Sequence, residues 1–168
     1  FRAFCSAIGK RNITEFNYRY ESSDCARVFV GLTMSPGDEG VAELQQTLQR
    51  KGYQVLDMTD NETAKLHLRH LIGGRLSSDI QDEMVFRVEF PERPGSLLHF
   101  LTALGKDYSI TLFHYRNHGA AYGRILVGMQ VPSGKRASLR SALNRLGYRF
   151  WDETDNPAYR EHLGRTTT

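Results

Sequence analysis

Cysteine is scarce in this chain of 168 residues: Cys5 and Cys25 are the only two. Two thiols make no disulfide framework, and a chain of this size and apolar content needs none, so a reducing cytosol is the default setting. Long hydrophobic runs are also missing. None approaches the roughly 20 residues that cross a bilayer, and no signal-type start is read at the beginning. Charge of one sign is not concentrated anywhere. The net charge is +3, with 22 Lys and Arg interleaved among 19 Asp and Glu, which argues against the basic stripe of nucleic-acid binders. No polar low-complexity run occurs, and hydrophobic residues make up 40% of the chain, so a packed core is expected. The chain also opens at Phe1 without an initiator methionine and already in a helical pattern, as expected for a piece of a longer polypeptide.

The most informative feature present is a repeat. Phe-x-Tyr-Arg occurs at Phe16, Tyr18, Arg19 and again at Phe113, Tyr115, Arg116. The tyrosines lie 97 positions apart, as do Arg27 and Arg124, and Gly31 and Gly128. Each motif opens a pair of strands, over 12–34 and 108–131. Around these hairpins the same order of elements recurs. Apolar positions at helical spacing mark Phe1, Phe4, Cys5 and Ile8, ended by Gly9, and match Leu97, Phe100, Leu101 and Leu104, ended by Gly105, each 96 further on. Val41, Leu44 and Leu48 mark a helix stopping near Gly52, and Leu139, Ala142, Leu143 and Leu146 one stopping at Gly147. Short strands are predicted over 53–58 and 148–151, and closing helices over 61–72 and 157–163. Only the second half has an opening strand, Met84 to Phe90, which turns through Arg93-Pro94-Gly95 into a helix with Ser96 as N-cap.

Strand, helix, strand, strand, helix, strand is the ferredoxin-like order, an antiparallel sheet with helices on one face. The sequence therefore predicts an α+β fold of two tandem βαββαβ subdomains, 1–75 and 76–168, the first lacking its opening strand. Polar 77–79 follow Gly73-Gly74 as the linker. In the second hairpin, Ile125, Val127 and Met129 are expected to hold the helices. Phe113, Tyr115, Leu126 and Gly128 are assigned to a second, covered face. Tyr115 and Arg116 have opposite parity and should not share a face.

No catalytic constellation is legible. His114 and His118 resemble a metal pair, but on a strand they stand roughly 13 Å apart. His67 and His70 share a helix face without a patterned third ligand. Neither cysteine has an activating histidine nearby, and the glycines form neither a phosphate loop nor a dinucleotide fingerprint. Binding is better supported. The Pro94-Gly95-Ser96 turn can aim helix amides at a carboxylate, Tyr18 and Tyr115 offer a ring with a hydroxyl, and Arg19, Arg69 and Arg116 can pair with an acid. Against this stands a plain alternative: a connector turn, interface tyrosines and structural arginines.

Taken together, the duplicated Phe-Asn-Tyr-Arg and Phe-His-Tyr-Arg, the turn from Phe90 to Leu97, the stretch from Lys65 to Arg75 and the closing run from Asp152 to Tyr159 resemble the regulatory region of biosynthetic threonine deaminases. The resemblance implies ACT-like subdomains that bind isoleucine as inhibitor and valine as its antagonist. It also implies a pyridoxal-phosphate catalytic domain in the same polypeptide, a homo-oligomer, and a setting in the bacterial cytosol or the plastid stroma. No cofactor is expected in this chain itself, nor catalysis by it. Effector-binding residues carried over by position are Tyr18, Tyr115, Arg69 and Arg116. Two other readings stay open: an RNA-binding module that stacks bases on Phe113 and Tyr115, and a purely structural assembly domain.

Overall fold

The computed structural model describes residues 1–21, 26–34, 40–61, 76–77, 79–91, 93, 95–105, 107–117 and 122–164. Helices are α1 (Arg2–Ile8), α2 (Val41–Arg50), α3 (Ser96–Leu104), α4 (Arg136–Leu146) and α5 (Pro157–His162). Strands are β1 (Asn12–Arg19), β2 (Val28–Thr33), β3 (Glu83–Pro91), β4 (Ser109–Arg116), β5 (Tyr122–Gln130) and β6 (Arg149–Asp152). All six strands join one antiparallel sheet in the order β2-β1-β4-β5-β3-β6. The architecture is α+β, as the recurring element order predicts.

The repeat reappears in the register. β1 and β4, the two Phe-x-Tyr-Arg strands, pair with Phe16 opposite Tyr115 and Tyr18 opposite Phe113. Asn17 faces His114, its own equivalent 97 positions on. At the ends of the ladder, Tyr20 donates its N–H to the Thr111 carbonyl and Asn117 donates to that of Thr14, both at 2.8 Å. These two bonds are mates under the same operation. A local two-fold axis therefore passes between Asn17 and His114 and relates the halves across a continuous sheet.

Alternation sets what each face does. Phe16, Tyr18, Phe113, Tyr115, Met84, Phe86, Val88, Ile125, Val127 and Met129 all point into one core, where they meet Leu97, Phe100 and Leu101 of α3 and Leu139 and Leu143 of α4. This corrects the expected division of the second hairpin. Phe113 stands opposite Val127 and Tyr115 opposite Ile125, and directly opposed residues share a face. Phe113 and Tyr115 therefore belong to the helix side. Leu112, opposite Gly128, and His114, opposite Leu126, take the other side. Alternation within each strand holds here; what it leaves open is which residues of β4 stand opposite which of β5, and that pairing decides the faces.

Three smaller differences have local causes. Residues 53–58 form no strand. Their counterpart β6 is held by β3, and among the described residues the first half has no equivalent of β3 to pair with. Leu56 is accordingly 75% exposed. The N-cap of α3 is Gly95, with φ 86°, and Ser96 is the first helical residue. Val41, placed on the buried stripe of α2, is exposed, while Leu44 and Leu48 are buried. The predicted helix over 61–72 lies outside the described residues apart from its first residue, as do Cys25, His67, His70 and His118.

Candidate functional site

Two clefts open between α1 and α3, which pack side by side. The first brings together the end of α1 and start of β1 (Cys5, Gly9, Arg11, Asn12, Ile13) and the β3–α3 turn with β4 (Phe90, Arg93, Gly95, Leu97, Leu98, Tyr115). One wall thus comes from each half. Its volume is ≈ 30 Å³, the share of one water molecule, so a ligand of amino-acid size enters only as the walls part. The second cleft, ≈ 250 Å³, is lined by Phe1, Arg2, Leu101, Leu104, Gly105, Tyr108, Ile110 and Met129. Here Leu101 and Gly105 stand for Cys5 and Gly9, Phe1 and Arg2 for Leu97 and Leu98, and Ile110 for Ile13. The clefts are mates under the local two-fold.

Of the residues singled out in the sequence, Tyr115 and Gly95 meet in the first cleft. Tyr115 is 3% exposed, with its ring 5.7 Å from that of Phe90. Gly95 uses its positive φ to turn the chain into α3, whose N-terminal end carries the positive pole of the helix dipole. Ser96 sits beside it without lining the cleft, its N–H donated to the Arg93 carbonyl at 3.0 Å. Tyr18 stands one layer behind the second cleft. Its ring meets Phe1 edge-on at 4.7 Å, and burial raises its hydroxyl above the usual tyrosine range. Arg116 lies on the opposite face of the sheet from Tyr115 and lines neither cleft. Arg69 and Pro94 lie outside the described residues.

Two features escaped the sequence. Arg11 reaches into the first cleft with its Nη1 donating to the Ile8 carbonyl at 2.8 Å, while its Nε is shut off from solvent without a hydrogen-bond partner among the described residues. On the other face of the sheet, Arg19 pairs with Glu83 at 2.8 Å, both side chains 2% exposed. Glu83 also accepts from the hydroxyls of Thr111 and Tyr159, and Arg19 Nη2 donates to the Leu163 carbonyl at 2.6 Å. Burial, then the bond to the Glu83 carboxylate, push the Tyr159 hydroxyl far up. Arg19 and Tyr159 both fall in the motifs noticed in the sequence. Glu83, 64 positions from Arg19, carried no signal connecting them.

The other chemistries find little footing. Among the described residues no three His, Cys, Asp or Glu side chains gather as metal ligands. Among the described residues no helix is long and apolar enough to cross a membrane. Phe113 and Tyr115, at 1% and 3% exposure, are core residues with no face to offer a nucleobase, which removes the stacking platform an RNA-binding reading requires.

Comparison with known proteins agrees with the resemblance. A family model described as the C-terminal regulatory domain of Threonine dehydratase matches residues 1–68 and 74–163. The chain is 46% identical over 163 residues to the L-threonine dehydratase biosynthetic IlvA of Burkholderia multivorans, covering 97% of this chain and 32% of that protein. It is 46% identical to the Escherichia coli protein of the same name, covering 97% and 31%. Against Threonine dehydratase 1 biosynthetic, chloroplastic, of Solanum lycopersicum, identity is 40%, over 95% of this chain and 26% of that protein. The chain spans about a third of the length of the curated relatives it matches most strongly.

Proposed function

Because this chain belongs to the family of C-terminal regulatory domains of threonine dehydratase, we propose that it is the sensor through which branched-chain amino acids control a pyridoxal-phosphate-dependent threonine deaminase. The regulatory-domain model accounts for nearly all of this sequence, residues 1–68 and 74–163. The observation that supports the effector reading is the cleft at Tyr115, where an aromatic hydroxyl, apolar side chains and a helix N-terminus converge on one small space between the halves. A free amino acid asks for that combination: donors for its carboxylate, a polar group for its ammonium, and an apolar wall for its side chain. Isoleucine would act as inhibitor and valine as antagonist. The two halves, 1–75 and 76–168, would be the ACT-like subdomains between which they bind.

The cleft is closed to about one water, so a ligand that binds only the parted form draws the population toward it. Coupling of about 1–3 kcal/mol to a remote active site is the ordinary range for such an effect. The described residues offer no seat for pyridoxal phosphate. Its lysine needs an enclosed pocket, and the described lysines Lys10, Lys51 and Lys135 are exposed and line neither cleft. On this reading the cofactor is held in a catalytic domain of the same polypeptide, in an oligomer located in the bacterial cytosol or in an organelle.

Inhibition of the full-length enzyme by isoleucine, and its relief by valine, tests the proposal. Tyr115→Phe should raise the isoleucine concentration for half inhibition by about 5- to 10-fold, the worth of one hydrogen bond. Unchanged isoleucine inhibition in that variant would remove Tyr115 from the site. Indifference of the wild-type enzyme to both amino acids would end the effector reading.

A further inference from the structure

Among the described residues, the first cleft carries positive charge and no acid. Arg11 and Arg93 line it, one from each wall, and none of its described lining residues is Asp or Glu. Arg11 is the one whose position is fixed. Its Nη1 is anchored on the Ile8 carbonyl at the last turn of α1, where a cation also meets the negative end of the helix dipole. Its Nε is buried without an acceptor among the described residues. A shielded guanidinium N–H with nothing to donate to is an unfavourable arrangement, and an acceptor entering the cleft relieves it. Gly95 faces it from the other half, leading the nine-residue α3 with that helix's positive pole.

We propose that Arg11 is the carboxylate anchor of this cleft, so that a bound amino acid has its carboxylate held between the Arg11 guanidinium and the N-terminal turn of α3. The inference rests on the reading of the cleft as an effector site and deepens it. It names the acid function as the part of the ligand that is recognised first, and it assigns that recognition to Arg11 rather than to Arg116, which faces away. A carboxylate gripped from both walls ties the first half to the second. Asn12 and Tyr115 provide the neutral polar groups for the ammonium.

Calorimetric titration of the full-length enzyme with three probes tests this: isoleucine, its deaminated acid 3-methylpentanoate, and its decarboxylated amine 2-methylbutylamine. The acid should bind more weakly than isoleucine, and the amine should not bind. Arg11→Gln should weaken isoleucine binding by about 10- to 100-fold, the range for a charge-assisted hydrogen bond. Arg11→Lys keeps a donor for the Ile8 carbonyl but loses the planar fork, and should show a similar loss with an unchanged melting temperature, which separates recognition from folding. Wild-type affinity for isoleucine in a folded Arg11→Lys or Arg11→Gln protein overturns the assignment while leaving the effector reading intact. Binding of the amine as tight as that of the acid also overturns it. Absence of isoleucine binding by the wild-type enzyme removes the effector reading and the anchor together.

Discussion

Arg19 and Glu83 form a buried ion pair that links the repeat's first strand to the opening strand of the second half. Such a pair stabilises little relative to an apolar pair, but removing one member strands the other charge. Glu83→Gln should therefore destabilise the chain by about 3–5 kcal/mol in urea unfolding. Arg19→Met with Glu83→Leu should cost clearly less than the two single changes added together. Gly128 is part of the same arrangement, since a Cβ there would stand 2.7 Å from Glu83 Oε1 and 2.9 Å from Leu112 Cβ. Gly128→Ala should cost about 1–3 kcal/mol by overpacking, whereas Gly134→Ala, with nothing within 4 Å, should stay within about 0.5 kcal/mol. At this scale the sequence was informative about residue types and silent about partners. Tyr115 and Gly95, each singled out for its local chemistry, line the same cleft. Arg11 was passed over because a lone arginine before a strand carries no pattern; its meaning comes from the burial of a single nitrogen.

The helices and most strands were legible because their signals are local. α4 runs to Leu146 with Gly147 in the left-handed conformation, as its spacing and terminal glycine require. α5 starts at Asn156, whose Oδ1 accepts the Ala158 N–H at 2.9 Å ahead of Pro157 at the first helical position. Losing that cap matters beyond α5, because the helix carries Tyr159 onto Glu83. Asn156→Ala should lower stability by about 1 kcal/mol and speed hydrogen exchange over 157–163. The strand expected over 53–58 was the informative failure: its sequence resembles β6, but a strand is made by its neighbour, and the neighbour of β6 is β3. α1 gives a prediction in pH. Burial pushes the Cys5 thiol up to about 11, above the roughly 8.5 of a free thiol. The folded form therefore disfavours the thiolate, so this contribution to stability is complete below about pH 8.5 and is lost as pH rises toward 11. In a Cys25→Ser background, iodoacetamide should label native Cys5 far more slowly than the urea-unfolded chain at pH 8.

At the scale of the whole molecule, the duplication was legible from letters alone, and so was the α+β layering. That the two repeats would meet strand to strand, with Asn17 against His114, was not, because nothing in a single chain's spacing says which edges find each other. The consequence lies in which movements this join permits. Sliding β1 past β4 by one residue would turn Phe16 and Tyr18 out of the core and bring Asn17 and Arg19 into it, while β5 keeps Phe113 and Tyr115 in place. Translation is thus forbidden, and a change of twist between β1 and β4, about the line running across the strands from Asn17 to His114, is the softer mode that keeps the ladder. A twist about a line perpendicular to the dyad preserves the two-fold and treats its mates alike, so a twist that parts the walls at Tyr115 also moves those at Phe1. The signal is then a torsion shared by both clefts, and isoleucine bound at Tyr115 should change amide hydrogen exchange around Gly105 in the second cleft as well.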